Sequence, residues 1–206
     1  MKWEFTPYNL QEWNKSDSRI LFVAPEPNGN NPNPGRDMGK WFRTADELNS
    51  YHSNKLFYNR CKLILDGMLG TESPSNFNHF RFMDLKATSG GSISKKNEIA
   101  NYIKSNRLEV TEYFTSKNEK FGLLPHKVVL VGNIAYELFS ELLRDSAQKD
   151  NPELQWIQMP HPSAQTVAND LLREACNEIR EHLSPINQNA NKWFCKGRTN
   201  YGWTRA

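Results

Sequence analysis

The segment RILFVAPEPNGNNPNPGRDMGKWF, residues 19–42, determines the fold that the rest of the chain is expected to adopt. Its apolar run Ile20–Val23 predicts a strand buried on both faces. Pro25 and Pro27 then remove backbone donors and end the strand. Glu26 lies between them, just past the carboxyl end of the strand, where open α/β sheets bind their ligands. We therefore interpret the long loop rich in Asn, Pro and Gly as one wall of an active site, with Glu26 as its most reactive group.

Three further apolar runs predict strands over residues 79–85, 127–132 and 156–159. Helical spacing of apolar residues separates them. Thr44 and Glu47 form a capping-box pattern that could begin a helical turn. Apolar residues at helical spacing over residues 56–68 predict a helix that Gly70 ends, and Asn133 is expected to cap another. A sparse, mostly solvated helix, with a possible break, is expected over residues 94–114. Alternating strands and helices predict an α/β fold, a three-layer α/β/α sandwich around a mainly parallel sheet of about four strands.

Three polar loops follow three of these strands, and they carry Glu26, Asp84 and His161. Parallel strands bring their carboxyl ends to one edge of a sheet, so we expect these three side chains to converge. Asp84 could instead pair with Lys86 or Arg81, and Glu26 could pair with Arg36 or cap a helix. The convergence is the main prediction drawn from the residues themselves.

The composition limits the class of protein. The 206 residues suit one main domain, and 37% hydrophobic with 24% charged residues excludes a disordered or membrane chain. The first ten residues lack the apolar core of a signal peptide, and three widely spaced cysteines suit a reducing, cytoplasmic environment. No CxxC pair is present, so neither a structural zinc nor an iron–sulfur cluster is indicated, and we expect no metal or other cofactor.

The C-terminal segment, residues 184–206, interleaves four cations with four aromatic rings and contains no acid. Cations and rings are what a nucleic-acid surface needs. A tail folded back on the domain through its aromatic side chains explains the same composition. We therefore divide the chain into a domain over residues 1–183 and this basic aromatic segment.

The motifs in this order resemble the uracil-DNA glycosylase superfamily. The matching parts are the first loop, a strand that ends at Asp84, the strand–glycine–helix step at residues 128–139 and a final His-Pro-Ser-Ala motif at residues 161–164. The resemblance spans residues 19–183. It implies a DNA glycosylase in which Glu26 stabilises an oxocarbenium-like sugar and orients the attacking water. The position in the family that matches Glu26 is usually Asp, Asn or Ala, so the glutamate departs from the family pattern.

The resemblance also implies roles for other residues. His161 would donate a hydrogen bond to the pyrimidine O2 as the base leaves, and Ser163 would hold a phosphate or cap the last helix. Phe42, or its neighbour Trp41, would stack on the flipped base. Packing in the core explains either ring equally well, and backbone contacts explain the histidine.

In this resemblance, Asp84 matches the family position that reads the base. Uracil-specific members use an amide there, whereas an ionised Asp only accepts hydrogen bonds and matches the amino group of cytosine. Strict uracil enzymes place a Tyr near Asn28, where this chain has small residues and room for a substituent at C5. A C5-modified cytosine is therefore the expected substrate, and uracil is the alternative.

We expect a monomeric, monofunctional enzyme that acts on single- or double-stranded DNA and leaves an abasic site, in repair or in defence against modified foreign DNA. A non-catalytic nucleic-acid-binding module of the same fold and a hydrolase of free nucleosides or nucleotides are the alternatives. Gln165 is a candidate for filling the gap that the extruded nucleotide leaves.

Overall fold

The structure is a computed structural model that describes residues 10–26, 52–87, 95–115 and 122–159, Leu172, Cys176 and two short strands near the C-terminus. The elements in chain order are α1 (Leu10–Lys15), β1 (Ile20–Ala24), α2 (His52–Leu69), a 3-10 helix (Pro74–His79), β2 (Phe80–Asp84), α3 (Lys96–Ser105), α4 (Arg107–Thr115), β3 (Lys127–Val131), α5 (Asn133–Leu138), a π-helical segment (Phe139–Leu143), α6 (Arg144–Asp150), β4 (Gln155–Met159), β5 (Arg198–Thr199) and β6 (Gly202–Trp203).

Strands β1 to β4 form one parallel sheet in the order β2-β1-β3-β4. All five residues of β1 are buried, as their apolar run predicts. The four predicted strands, the α/β class and the mainly parallel sheet are therefore confirmed. The three-layer arrangement and the domain division at residue 183 stay predictions.

The strand order places a topological switch between β1 and β3. The chain leaves β1 for β2 on one side of the sheet, and it leaves β3 for β4 on the other side. Loops that diverge in this way open a crevice at the carboxyl ends of the two strands, which is the usual ligand site of such sheets. Glu26 lies just beyond the end of β1, next to this crevice.

The helices follow the predicted periodicity, with one correction at a cap. Helix α2 ends at Gly70, which has a φ of 75° and donates its N–H to the Asp66 carbonyl, as predicted. Asn133 was expected to cap the next helix, but Gly132 occupies the N-cap with a φ of 92° and Asn133 is the first helical residue. The prediction is wrong because the left-handed backbone at this turn favours glycine. Thr44 and Glu47 lie outside the described residues.

The segment between β2 and β3 is broken as expected, since α3 ends before Asn106 and α4 begins after it. Both helices nevertheless bury apolar side chains in the core, among them Ile103 and Phe114. None of the helices in the described ranges has both the length and the apolar character needed to cross a membrane.

Candidate functional site

The backbone brings the ends of β1 and β2 together beyond the regular ladder. Ala24 pairs with Asp84 in the parallel register. The Leu85 N–H then donates to the Ala24 carbonyl at 2.8 Å, and the Lys86 N–H donates to the Pro25 carbonyl at 3.0 Å. Residues 24–26 and 84–86 therefore run side by side, which places the side chains that follow the two strands next to each other.

Glu26 and Lys86 form a buried ion pair at this edge. The distance from Lys86 Nζ to Glu26 Oε2 is 2.9 Å, and the two side chains are 13% and 3% exposed, respectively. A carboxylate removed from water in this way needs a compensating cation, and Lys86 supplies it. The alternative partner for Glu26, Arg36, lies outside the described residues.

Asp84 lies beside this pair and is only 8% exposed. In the described part of the chain its carboxyl has no hydrogen bond or ion pair. Burial, and secondarily the charge of Glu26, raise the pKa of Asp84 to about 8. The carboxyl is therefore mostly neutral near pH 7, and it can donate a hydrogen bond as well as accept one.

This charge state changes the interpretation of the base-reading position. An ionised Asp84, as expected from the sequence, would only accept hydrogen bonds. A neutral carboxyl matches the amino group and N3 of cytosine, and it matches N3–H and O4 of uracil equally well. Asp84 alone therefore does not decide between the two bases.

The suggested pairing of Asp84 with Lys86 or Arg81 is not found. Lys86 contacts Glu26, and Arg81 lies between the rings of Trp13 and Tyr113, with its Cζ 5.1 Å and 5.6 Å from their centroids. Arg81 is three positions before Asp84 in β2, so the pleat of the strand directs the two side chains to opposite faces.

The other side of the switch is built by β3 and β4. Gln158 Nε2 donates to Asn133 Oδ1 at 2.6 Å, and the Gly132 N–H donates to the Met159 carbonyl at 2.7 Å. A Cβ at Gly132 would meet no atom within 4 Å in the described residues. The end of β3 thus leaves open space at the same edge as Glu26.

The structure brings together two of the three predicted strand-end side chains, Glu26 and Asp84. Strand β4 ends at Met159, just before the third, His161, which lies outside the described residues. The remaining predictions that also lie outside them are Asn28, Trp41, Phe42, Ser163 and Gln165. In the C-terminal segment, β5 and β6 pair antiparallel, with Arg198 opposite Trp203.

Lys86 is the site residue that the sequence argument missed. It was considered only as a partner for Asp84. The spacing of Asp84 and Lys86 could have indicated it. Residues two apart point to the same side of an extended chain, and the chain continues in this way past the end of β2.

The described residues contain no group of three or more His, Cys, Asp or Glu side chains that could hold a metal ion. Comparison with family models, with curated proteins and with solved structures found no match. The geometry of the edge and the order of the motifs are therefore the support for a function.

Proposed function

We propose that the chain is a DNA glycosylase that takes up a flipped pyrimidine, uracil or a C5-modified cytosine, and hydrolyses its N-glycosidic bond to leave an abasic site. The observation that carries this proposal is the buried Glu26 carboxylate, held by Lys86 at the carboxyl edge of a parallel sheet beside the Asp84 carboxyl. Enzymes that cleave glycosidic bonds use two carboxyl groups in different protonation states in this way.

Glu26 supplies the negative charge that the reaction needs. Cleavage of the bond leaves positive charge on the sugar, and a fixed carboxylate close to it stabilises the transition state and orients the attacking water. The ion pair with Lys86 fixes the carboxylate, because both side chains are largely buried and cannot exchange freely with water. Little reorganisation is then required when the charge develops.

The base is held by the rest of the edge. Asp84 meets its Watson–Crick edge, Phe42 stacks on the ring and His161 donates to O2. The small residues at Asn28 and Gly29 leave room for a substituent at C5. Ser163 holds a phosphate of the DNA strand.

The enzyme is monofunctional in this proposal. A lyase needs an unprotonated amine to attack the sugar, and Lys86 Nζ, a described amine at this edge, is held in the ion pair with Glu26. We further propose that the enzyme is a monomer, works in the cytoplasm and excises the base in repair or in defence against modified foreign DNA.

The test uses oligonucleotides, single- and double-stranded, that carry uracil, cytosine, 5-methylcytosine or 5-hydroxymethylcytosine at one position. We expect abasic sites, seen as strand breaks only after alkali, on uracil or a C5-modified cytosine. Glu26→Gln should lower the rate on the order of 100-fold or more, as the loss of transition-state charge stabilisation does. Glu98→Gln is the matched control, because Glu98 also pairs with a lysine, Lys95, but on the exposed face of α3.

The other outcomes separate the alternatives. Binding of the oligonucleotides without base release on every substrate would favour a non-catalytic module. Release from free nucleosides or nucleotides but never from a strand would favour the small-molecule hydrolase. Strand breaks without alkali would show a lyase and contradict the monofunctional proposal.

A further inference from the structure

We propose that Asp84 is the general acid of this reaction: its carboxyl proton passes to the Watson–Crick edge of the flipped pyrimidine as the glycosidic bond breaks. The inference rests on the proposed glycosylase function and assigns Asp84 a catalytic role besides the reading of the base. It concerns the leaving group, whereas Glu26 acts on the sugar. The two carboxyl groups then divide the work of acid and base.

The geometry of the cluster supports this division. Glu26 and Asp84 follow neighbouring strands in a register that pairs Ala24 with Asp84, so the two carboxyl groups share one buried edge. The described ammonium group at this edge, Lys86 Nζ, contacts Glu26. One positive charge compensates one carboxylate, so a second buried carboxylate would be uncompensated and its neutral form is favoured.

Asp84 is more than nine-tenths buried, and among the described residues no side-chain hydrogen bond or ion pair is seen for it. A neutral carboxyl at this edge can hydrogen-bond a ligand that carries the complementary groups. The ligand must offer an acceptor for the O–H and a donor for the carbonyl oxygen. N3 and the amino group of a cytosine meet this demand, as do O4 and N3–H of a uracil.

The proton transfer balances the reaction. The O–H bond of Asp84 breaks as an N–H bond forms at N3 of a cytosine, or an O–H bond at O4 of a uracil. The C1′–N1 bond breaks, and its electron pair stays with the base, which leaves as a neutral molecule rather than an anion. Water forms the new C1′–O bond and gives its proton to Glu26. Return of one proton from Glu26 to Asp84 through solvent restores the starting state.

The charged groups around Asp84 define the pH dependence that this role produces. Glu26, beyond β1, is the described group whose charge raises the pKa of Asp84, and Lys86 on the neighbouring segment faces Glu26. Arg81 on the same strand is held between Trp13 of α1 and Tyr113 of α4. The acid form of Asp84 therefore persists at neutral pH and is lost as the pH rises above about 8.

The test compares wild type with Asp84→Asn, which keeps a donor and an acceptor but cannot give up a proton. Single-turnover rates with enzyme in excess are measured on the best oligonucleotide substrate from about pH 6 to about pH 9, below the ordinary ionisation of a lysine amine. We expect the wild-type rate to fall about tenfold per pH unit at the upper end. We expect Asp84→Asn to be slower on the order of 100-fold near pH 7, with a flat profile and an unchanged Kd for the oligonucleotide.

Rates on a series of leaving groups give a second measurement, which a purely structural role of Asp84 would not affect. A 5-fluoro substituent makes the base a better leaving group, so it needs less protonation, and the defect of Asp84→Asn should shrink on 5-fluoro substrates. Asp145→Asn, at an exposed aspartate of α6, is the matched control and should behave as wild type throughout.

The outcomes distinguish a failure of the general-acid role of Asp84 from a failure of the proposed glycosylase function. If wild type releases base while Asp84→Asn keeps its rate and pH profile, or loses only binding, the general acid is refuted and the glycosylase stands. If wild type releases no base from any oligonucleotide, the proposed function fails and the inference fails with it. A uniform defect of Asp84→Asn across the 5-fluoro series would also overturn the acid role.

Discussion

Glu26 and Lys86 depend on each other because both are largely withdrawn from water. Taking a carboxylate and an ammonium group out of water costs several kcal/mol for each ion, and their contact at 2.9 Å offsets this cost only while both are present. The pair is therefore weak evidence for stability by itself. It does keep a carboxylate beside the sheet edge, which is what the proposed glycosylase reaction would use.

A double-mutant comparison measures this dependence. Lys86→Met should lower the free energy of unfolding by about 3 kcal/mol in wild type, because it leaves Glu26 buried without a cation. In a Glu26→Gln background the same substitution should cost less than about 1 kcal/mol, because no charge is left uncompensated. Urea unfolding near pH 7 gives both values. Equal costs in the two backgrounds would mean that the ion pair contributes nothing to the cost of losing Lys86.

The strands show how far the sequence carries the fold. Continuous apolar runs such as Ile20–Val23 and Val128–Val131 predict buried strands because strands covered on both faces need apolar side chains at every position. Parallel pairing then follows from the helices between them, and it brings Glu26 and Asp84 to one edge. These features depend on local pattern and on a general rule of sheet topology, so they can be predicted.

Other features depend on residues distant in the chain, and the sequence does not reveal them. Arg81 alternates with apolar neighbours as if it faced solvent, but it is buried between rings from residues 13 and 113. Lys86 contacts Glu26 because the backbone of residues 84–86 follows residues 24–26 beyond the ladder. The neutral state of Asp84 requires both its burial and the charge of Glu26. Each is a product of tertiary packing.

Helix α2 approaches Cys176 closely at one glycine. A Cβ at Gly67 would lie 2.3 Å from the Cys176 Cβ, far inside contact distance. Gly67→Ala should therefore lower the free energy of unfolding by about 1–2 kcal/mol, although alanine is the better helix former by about 1 kcal/mol. Thermal or urea unfolding measures the change.

The partner side chain provides the control for this contact. Cys176→Gly removes the Cβ that alanine would strike, so Gly67→Ala should cost much less in that background. Cys176→Ala keeps the Cβ and should leave the cost unchanged. Additive effects in both backgrounds would show that α2 and Cys176 do not approach as closely as the glycine indicates.

The two edges of the sheet carry titratable groups that change the free energy of unfolding in opposite directions as the pH rises. At the carboxyl edge, Asp84 has a raised pKa. At the amino edge, the backbone N–H of Arg19 donates to His126 Nδ1, and the Arg19 guanidinium contacts His126 Nε2 at 2.7 Å. Burial lowers the pKa of His126, and the positive charges of Arg19 and Lys127 lower it further. The unfolded chain releases the Asp84 proton at a lower pH than the native protein does, and it binds a proton at His126 at a higher pH. Stability is therefore lost on both sides, at high pH through Asp84 and at low pH through His126.

Asp84→Asn should remove the loss on the alkaline side. In wild type, the contribution of Asp84 is fully present below about pH 4 and declines, at up to about 1.4 kcal/mol per pH unit, until the pH passes about 8. The stability difference between Asp84→Asn and wild type should therefore grow by a few kcal/mol across this window and stay constant above it. Both proteins should lose stability alike as the pH falls through about 6.5, because His126 is unchanged. Urea unfolding at a series of pH values measures the free energy of unfolding of both proteins. Parallel curves between pH 4 and 8 would mean that Asp84 is ionised in the folded protein. In that case the proton proposed for the leaving base would have no source.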